Sequence, residues 1–278
     1  MSLDQSFEEE EDKMSFLDHL EILRWHLVRI VIALLIFSIL AFFFKGFIFD
    51  TVVLAPVFDS FITYQLFCQL SEAMGLGDKL CFQSISFQLI NITMAGQFTM
   101  HLIVSIFAGI IAAFPYILYE VWRFIKPALK KGEKNYARGL VFWGSLLFLS
   151  GVSFGYYLIT PLSVQFLGGY NVSELVQNQI SLSSYISTVT TITLSCGLIF
   201  QLPIIVYFLS KLGIVTPSLM KTYRRHAIIA VLLLSAIITP PDITSQILVS
   251  LPLLLLYEIS ILISRMVVKK KAKDQFGI

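Results

Sequence analysis

Uncharged apolar runs alternate with polar or basic connections along this chain, the pattern of a protein that crosses a bilayer repeatedly rather than folding around a soluble core. Runs over about 27–44, 98–119, 140–158, 185–209, 227–238 and 243–264 predict six transmembrane helices within a domain spanning residues 15–265. Ahead of the first run, Ser15 and Asp18 make a capping-box pattern, and Phe16, Leu20, Leu23 and Leu27 recur at helical spacing. That segment reads as a short amphipathic helix lying along the membrane surface. Between the first two spans, Gly46 to Gln97 reads as two or three short helices around Pro56. Pro115 and Pro203 are expected to bend their spans, and Thr160-Pro161 to open a loop that reaches Leu182. Ala227 to Ile238 offers 12 uncharged residues, roughly 18 Å of helix against a hydrocarbon core of about 30 Å. With the turn at TPPD it predicts a short final hairpin that thins the bilayer or is shielded by protein.

Composition agrees: 56% hydrophobic and 14% charged residues with a mean hydropathy of +0.81 define an all-α integral membrane protein. The net charge of +2 hides an asymmetry between an acidic tail at 1–14 and a basic tail at 266–278. Of the 20 Lys and Arg residues, only Lys45 and Lys79 fall outside one set of alternate connections. By the positive-inside bias that set is cytoplasmic, both termini with it, and six spans satisfy the parity. The acidic N-terminus lacks the positive region of a cleavable signal peptide, so the first span is expected to be retained.

No HExxH, nucleophile elbow or phosphate-binding loop occurs, so neither catalysis nor a cofactor is expected. His19, His26, His101 and His226 share no ligand spacing and read as interfacial side chains, leaving no metal site. Cys196 lies inside an apolar run. Cys68 and Cys81 either form a disulfide or stay free, because spacing does not fix the Cα separation. Tyr116, Tyr119, Trp122 and Phe124 form an aromatic collar before a basic connection. The informative residues are acids set among cations. Glu133 sits between Lys131 and Lys134, and Asp18 and Glu21 lie beside Arg24. Glu120 has Arg123 at i+3, where an intrahelical ion pair is the default. Near membrane depth, Gln201 offers an amide to neighbouring helices. Glu258 pairs by default with Arg265, and Asp242 caps the last helix.

The stretch FPYILYEVWRFIKPALKKGEK (Phe114 to Lys134) resembles the signature loop of the TatC family, the multispanning receptor subunits of the twin-arginine protein translocase. DHLEILRWHL (Asp18 to Leu27), APV (Ala55 to Val57), FQLP (Phe200 to Pro203) and TPPD followed by SQ (Thr239 to Gln246) extend the resemblance over nearly the whole chain. It implies a bacterial inner-membrane protein that binds twin-arginine signal peptides of folded precursors at its cytoplasmic face. Implied partners are the lipid bilayer, TatA- and TatB-type single-span subunits and further copies of the chain, with the proton motive force as driver and no nucleic acid. Glu133 falls where the family's loop acid meets the arginines, and Phe124 matches a position in the same loop. The family's second acid belongs to an HLxELR motif, and here Ile22 stands in its place. Glu21, with Asp18, is expected to supply the missing charge, and Glu120 is a candidate third carboxylate. Gln201 occupies a position where many members carry Glu. Two other readings use the same pattern. A proton-coupled solute transporter would need charged ligands at mid-membrane, which are nearly absent, and a scaffold would not distinguish Arg-Arg from Lys-Lys.

Overall fold

A computed structural model gives the fold and describes residues 16–75, 81, 88–125, 137–171, 173, 178–239 and 243–276. Its helices are α1 (Phe16–Phe43), α2 (Ile62–Ala73), α3 (Gly96–Ile125), α4 (Ala137–Phe154), α5 (Thr160–Gly169), α6 (Leu182–Ile199), α7 (Leu202–Leu212), α8 (Pro217–Thr222), α9 (Arg224–Ile238) and α10 (Ile243–Phe276). Among the described residues, six stretches are long and apolar enough to cross a bilayer: Leu20–Phe43, Phe47–Ala73, Gly96–Ile125, Gly139–Gly169, Leu182–Leu212 and Ser245–Lys271.

Five of these coincide with apolar runs of the sequence, and the sixth does not. Phe47–Ala73 lies in the connection expected to hold short helices, and it is broken accordingly. A wide π-helical turn at Phe47–Val53 and a 3₁₀ turn at Ala55–Val57 holding Pro56 are followed by extended backbone at Phe58, then by α2. The expected span at 227–238 is α9, whose 15 residues make about 22 Å of helix, and it is not among those six stretches. It packs against α10 as a hairpin.

Several boundaries differ from the sequence expectation. The amphipathic segment and the first span form one uninterrupted helix of 28 residues, so the segment is no separate surface element. Its apolar positions repeat at helical spacing in both parts, which fixes the helix but not the direction of its axis. Thr160-Pro161 does not open a loop, because the chain stays helical to Gly169. Pro161 falls in the first turn of α5, just after a π-helical turn at Gly155–Ile159, where its missing N–H leaves no regular bond unmade. The predicted bend near Pro203 is a break at Phe200-Gln201 between α6 and α7, whereas α3 remains helical through Pro115. The basic tail continues α10 as helix to Phe276. A two-stranded parallel ribbon, β1 (Gln88–Ile90) with β2 (Gln179–Ser181), has no counterpart in the sequence expectation; Leu89 lies opposite Ile180.

Wide turns strand backbone carbonyls, and tyrosines recover them. Tyr156 and Tyr185 donate to the carbonyls of Val52 and Val53 at 2.6 and 2.7 Å, and Tyr64 donates to that of Pro56 at 2.9 Å. Between helices, apolar burial gives way to small residues and hydroxyls. A Cβ on Gly151 of α4 would stand 2.7 Å from the carbonyl oxygen of Cys196 in α6. Ser210 donates to Ser264 at 2.7 Å, tying α7 to α10.

Cys68 and Cys81 are joined by a disulfide that closes a loop at the end of α2, with Cα atoms 4.3 Å apart. The double substitution Cys68→Ser, Cys81→Ser is expected to lower unfolding stability by about 3 kcal/mol, the loop-closure value for a ring of roughly this size. Chemical unfolding in mild detergent, with and without reductant, measures it; a reductant-insensitive wild type would refute it.

Candidate functional site at the α1–α3 end

α1 and α3 pack side by side and antiparallel, so the first turns of α1 meet the last turns of α3. A stripe of small buried residues on α3, Ser105, Gly109 and Ala113, permits the approach. A Cβ on Gly109 would fall 2.8 Å from the Cα of Ser38 in α1, closer than carbon atoms tolerate. Continuing toward the end of α3 at intervals of four residues come Tyr116, Glu120 and Phe124, on one face of the helix.

Glu120 is the centre of this end. Its side chain is 1% exposed, and three groups address its carboxylate. His26 Nδ1 donates to Oε2 at 2.5 Å, Tyr116 donates to Oε1 at 3.0 Å, and Arg29 Nη1 stands 4.0 Å from Oε2. Phe124 meets the His26 ring edge-on, with centroids 6.0 Å apart. A carboxylate this buried requires such compensation. Both carboxylate oxygens are engaged, so Glu120 serves as an internal anion joining α1 to α3 rather than as an open acceptor.

This corrects two readings. The partner of Glu120 is not Arg123 three residues along its own helix but a set on α1 and Tyr116. His26, expected at the interface, is buried and paired. No local spacing rule reaches across the 94 residues that separate His26 from Glu120. The collar also divides. Tyr116 and Tyr119 are exposed, whereas Trp122 is buried edge-on against Phe208 of α7.

Glu21 is exposed on α1 and pairs with Arg24 at 3.6 Å, while Arg24 also lies over the Trp25 ring. Ile22, one position on, is half-buried. The acid of this turn therefore points about 100° away from the position where the family motif puts it. Asp18 belongs to α1, but its side chain lies outside the described residues, as do Glu133 and Asp242.

The membrane-depth residues stand apart from this end. Gln201, at the α6–α7 break, is buried; its amide nitrogen donates to the carbonyl of Gly144 at 3.0 Å, and its Oε1 has no partner among the described residues. Glu258 pairs with Arg224 of α9 at 2.6 Å, not with Arg265. Crossing to the neighbouring helix of the hairpin won over the pair within α10. Among the described residues no three His, Cys, Asp or Glu side chains are grouped to hold a metal ion.

Comparison with known proteins places this arrangement. Residues 18–252 match the family described as Sec-independent protein translocase protein (TatC). A Sec-independent protein translocase protein TatC from a Blattabacterium of Periplaneta americana is 39% identical over 263 residues, covering 94% of this chain and 99% of that protein. Its counterpart in Aquifex aeolicus is 35% identical over 263 residues, with 94% and 99% covered. A crystal structure of a twin-arginine translocase receptor, TatC, superposes with a TM-score of 0.70 at 33% identity, covering 90% of this chain and 99% of that one. A second, in the detergent DDM, gives a TM-score of 0.71 at the same 33% identity.

Proposed function

The chain belongs to the TatC family of Sec-independent protein translocase proteins, and we propose that it is the receptor that binds twin-arginine signal peptides and nucleates assembly of the translocase. As a family member it is a multi-pass component of a protein translocase and not an enzyme. In this reading Glu133 accepts the arginines, the Glu21–Arg24 turn with Asp18 supplies a second anionic site, and Phe124 packs against the bound peptide. TatA- and TatB-type subunits join afterwards, and the proton gradient drives export of the folded precursor. The distribution of Lys and Arg supports a cytoplasmic location for both termini and the recognition surface, in a bacterial inner membrane.

One observation carries the reading. His26, five residues after Glu21 on α1, clasps that helix to the Phe124 end of α3, from which the connection 126–136, holding Glu133, departs. Two acids on that side suit a pair of guanidinium groups, each a planar fork that a carboxylate accepts bidentately, where Lys offers only a point charge. Surrounding Lys130, Lys131 and Lys134 would repel cations that lack the matching geometry.

The test is binding of a fluorescent twin-arginine peptide to the purified chain in nanodiscs, beside its Lys-Lys counterpart. A preference of about tenfold or more for Arg-Arg is expected, the scale of one charge-assisted hydrogen bond. Equal binding of the two peptides would overturn the proposal. Crosslinkers along the apolar core of the same peptide are expected to reach α3 and the α6–α7 bend.

A further inference from the structure

We propose that His26 is a positioning residue for signal-peptide recognition. Its ring, held against Glu120, clasps the first turns of α1 to the end of α3 and so fixes where Glu21 stands relative to Phe124. The inference rests on the function proposed above and adds a residue to which neither the sequence pattern nor the family resemblance gives a part in recognition.

The geometry singles His26 out among the cations. It contacts the Glu120 carboxylate at 2.5 Å and is itself buried, whereas Arg29 stands 4.0 Å away with its side chain 44% exposed. The other polar group on the pair is Tyr116, a neutral donor on α3. Of the other helices packed on α3, α6 carries no Asp, Glu, Lys, Arg or His, α7 carries Lys211, whose Nζ lies over the Tyr207 ring, and the side chain of Arg138 in α4 lies outside the described residues. When protonated, the imidazole supplies a cation in direct contact with a carboxylate withdrawn from water. A neutral imidazole can still donate its hydrogen bond, but it leaves that charge to a half-exposed guanidinium in the next turn.

The clasp bears on recognition through what it holds. The His26 ring touches Phe124, one residue before the last of α3, and it lies on the same helix as Glu21, five residues away and so on a different face. Losing the ionic contact frees the start of α1 to move against the base of the connection. Raising pH neutralises imidazole but not guanidinium, which separates a charge role from a packing role.

The experiment compares the wild type, His26→Arg and His26→Gln in nanodiscs, with twin-arginine peptide binding followed from about pH 5 to about pH 8, the range in which imidazole changes charge. The wild type is expected to lose about tenfold in affinity as pH rises and the imidazole loses its proton. His26→Arg is expected to stay flat, and His26→Gln to bind weakly throughout. Parallel profiles for the wild type and His26→Arg, or full binding by His26→Gln at low pH, would overturn the proposal. Spin labels at Leu20→Cys and Tyr119→Cys give a readout that needs no peptide. The clasp predicts a sharp distance distribution that broadens in His26→Gln, and an unchanged distribution would refute it even if the wild type showed no Arg-Arg preference. That last result alone would count against the recognition function, not against the clasp.

Discussion

Glu133→Ala is expected to weaken binding of a twin-arginine peptide by about tenfold to a hundredfold and to erase the preference over Lys-Lys. The lower bound comes from one charge-assisted hydrogen bond, worth about 1.5–3 kcal/mol net, and a bidentate contact reaches the upper part of that range. Loss of selectivity is the sharper signature. A solvated acid that only neutralises Lys131 and Lys134 contributes about 0–1 kcal/mol and treats both peptides alike. Removing such an acid would change the two affinities in parallel. Glu133→Gln separates these cases again, because it keeps an acceptor while discarding the charge. Glu21→Ala is expected to cost less than Glu133→Ala, because Glu21 is exposed and already shared with Arg24 at 3.6 Å. Peptide titrations of each variant against both peptides, at low and high salt, decide between them. Equal affinities for Arg-Arg and Lys-Lys in the wild type, or a Glu133→Ala variant that keeps its preference, would remove Glu133 from the site.

Five of the six spans are legible in the sequence because a bilayer demands long uncharged runs, whereas the broken stretch Phe47–Ala73 offers no such run and reads as a connection. Their ends are less legible. Leu20, Leu23 and Leu27 announce a helix, yet the same spacing serves a helix lying on the surface and one that continues into the membrane, so the pattern does not show that both parts join in α1. Pro161 misleads for a related reason: proline stops a helix in its interior but suits a first turn, and only the π-helical turn before it supplies that first turn. Small-residue stripes are hard to read. Ser105, Gly109 and Ala113 recur every four residues, as do Gly151 and Gly155, but inside apolar runs they look like more of the same. The site is legible only where chemistry is local. Glu21 beside Arg24 follows from adjacency on one helix, whereas Glu120 has a plausible neighbour in Arg123 and a true set of partners on another helix. Tertiary contact overrides the i+3 rule because burial to 1% exposure makes a solvent-facing pair worth less than direct hydrogen bonds from His26 and Tyr116.

Glu120→Ala is expected to be among the most destabilising single substitutions in the chain, at about 3–5 kcal/mol, because removing one member of a buried pair strands the other. His26 would remain buried without its acceptor, and Tyr116 would lose its own at 3.0 Å. Glu120→Gln should cost less, since an amide oxygen still accepts while the charge mismatch with His26 and Arg29 remains. The informative variant is the double substitution His26→Leu, Glu120→Leu. Replacing both members of a buried ion pair with apolar groups is often neutral or favourable, so most of the single-variant loss should return. Chemical unfolding of the wild type, His26→Leu, Glu120→Leu and the double variant in one detergent measures the cycle. Recovery in the double variant would establish that the pair's cost lies in orphaned charge, as burial of both partners implies, and would leave a stable protein with an apolar clasp. That protein separates the two roles of this end of the molecule: holding α1 to α3 needs only contact, whereas a response to pH needs the imidazole. A double variant as unstable as Glu120→Ala would mean instead that the carboxylate bonds of Tyr116 and Arg29 dominate, placing the strength of the junction outside the His26 pair.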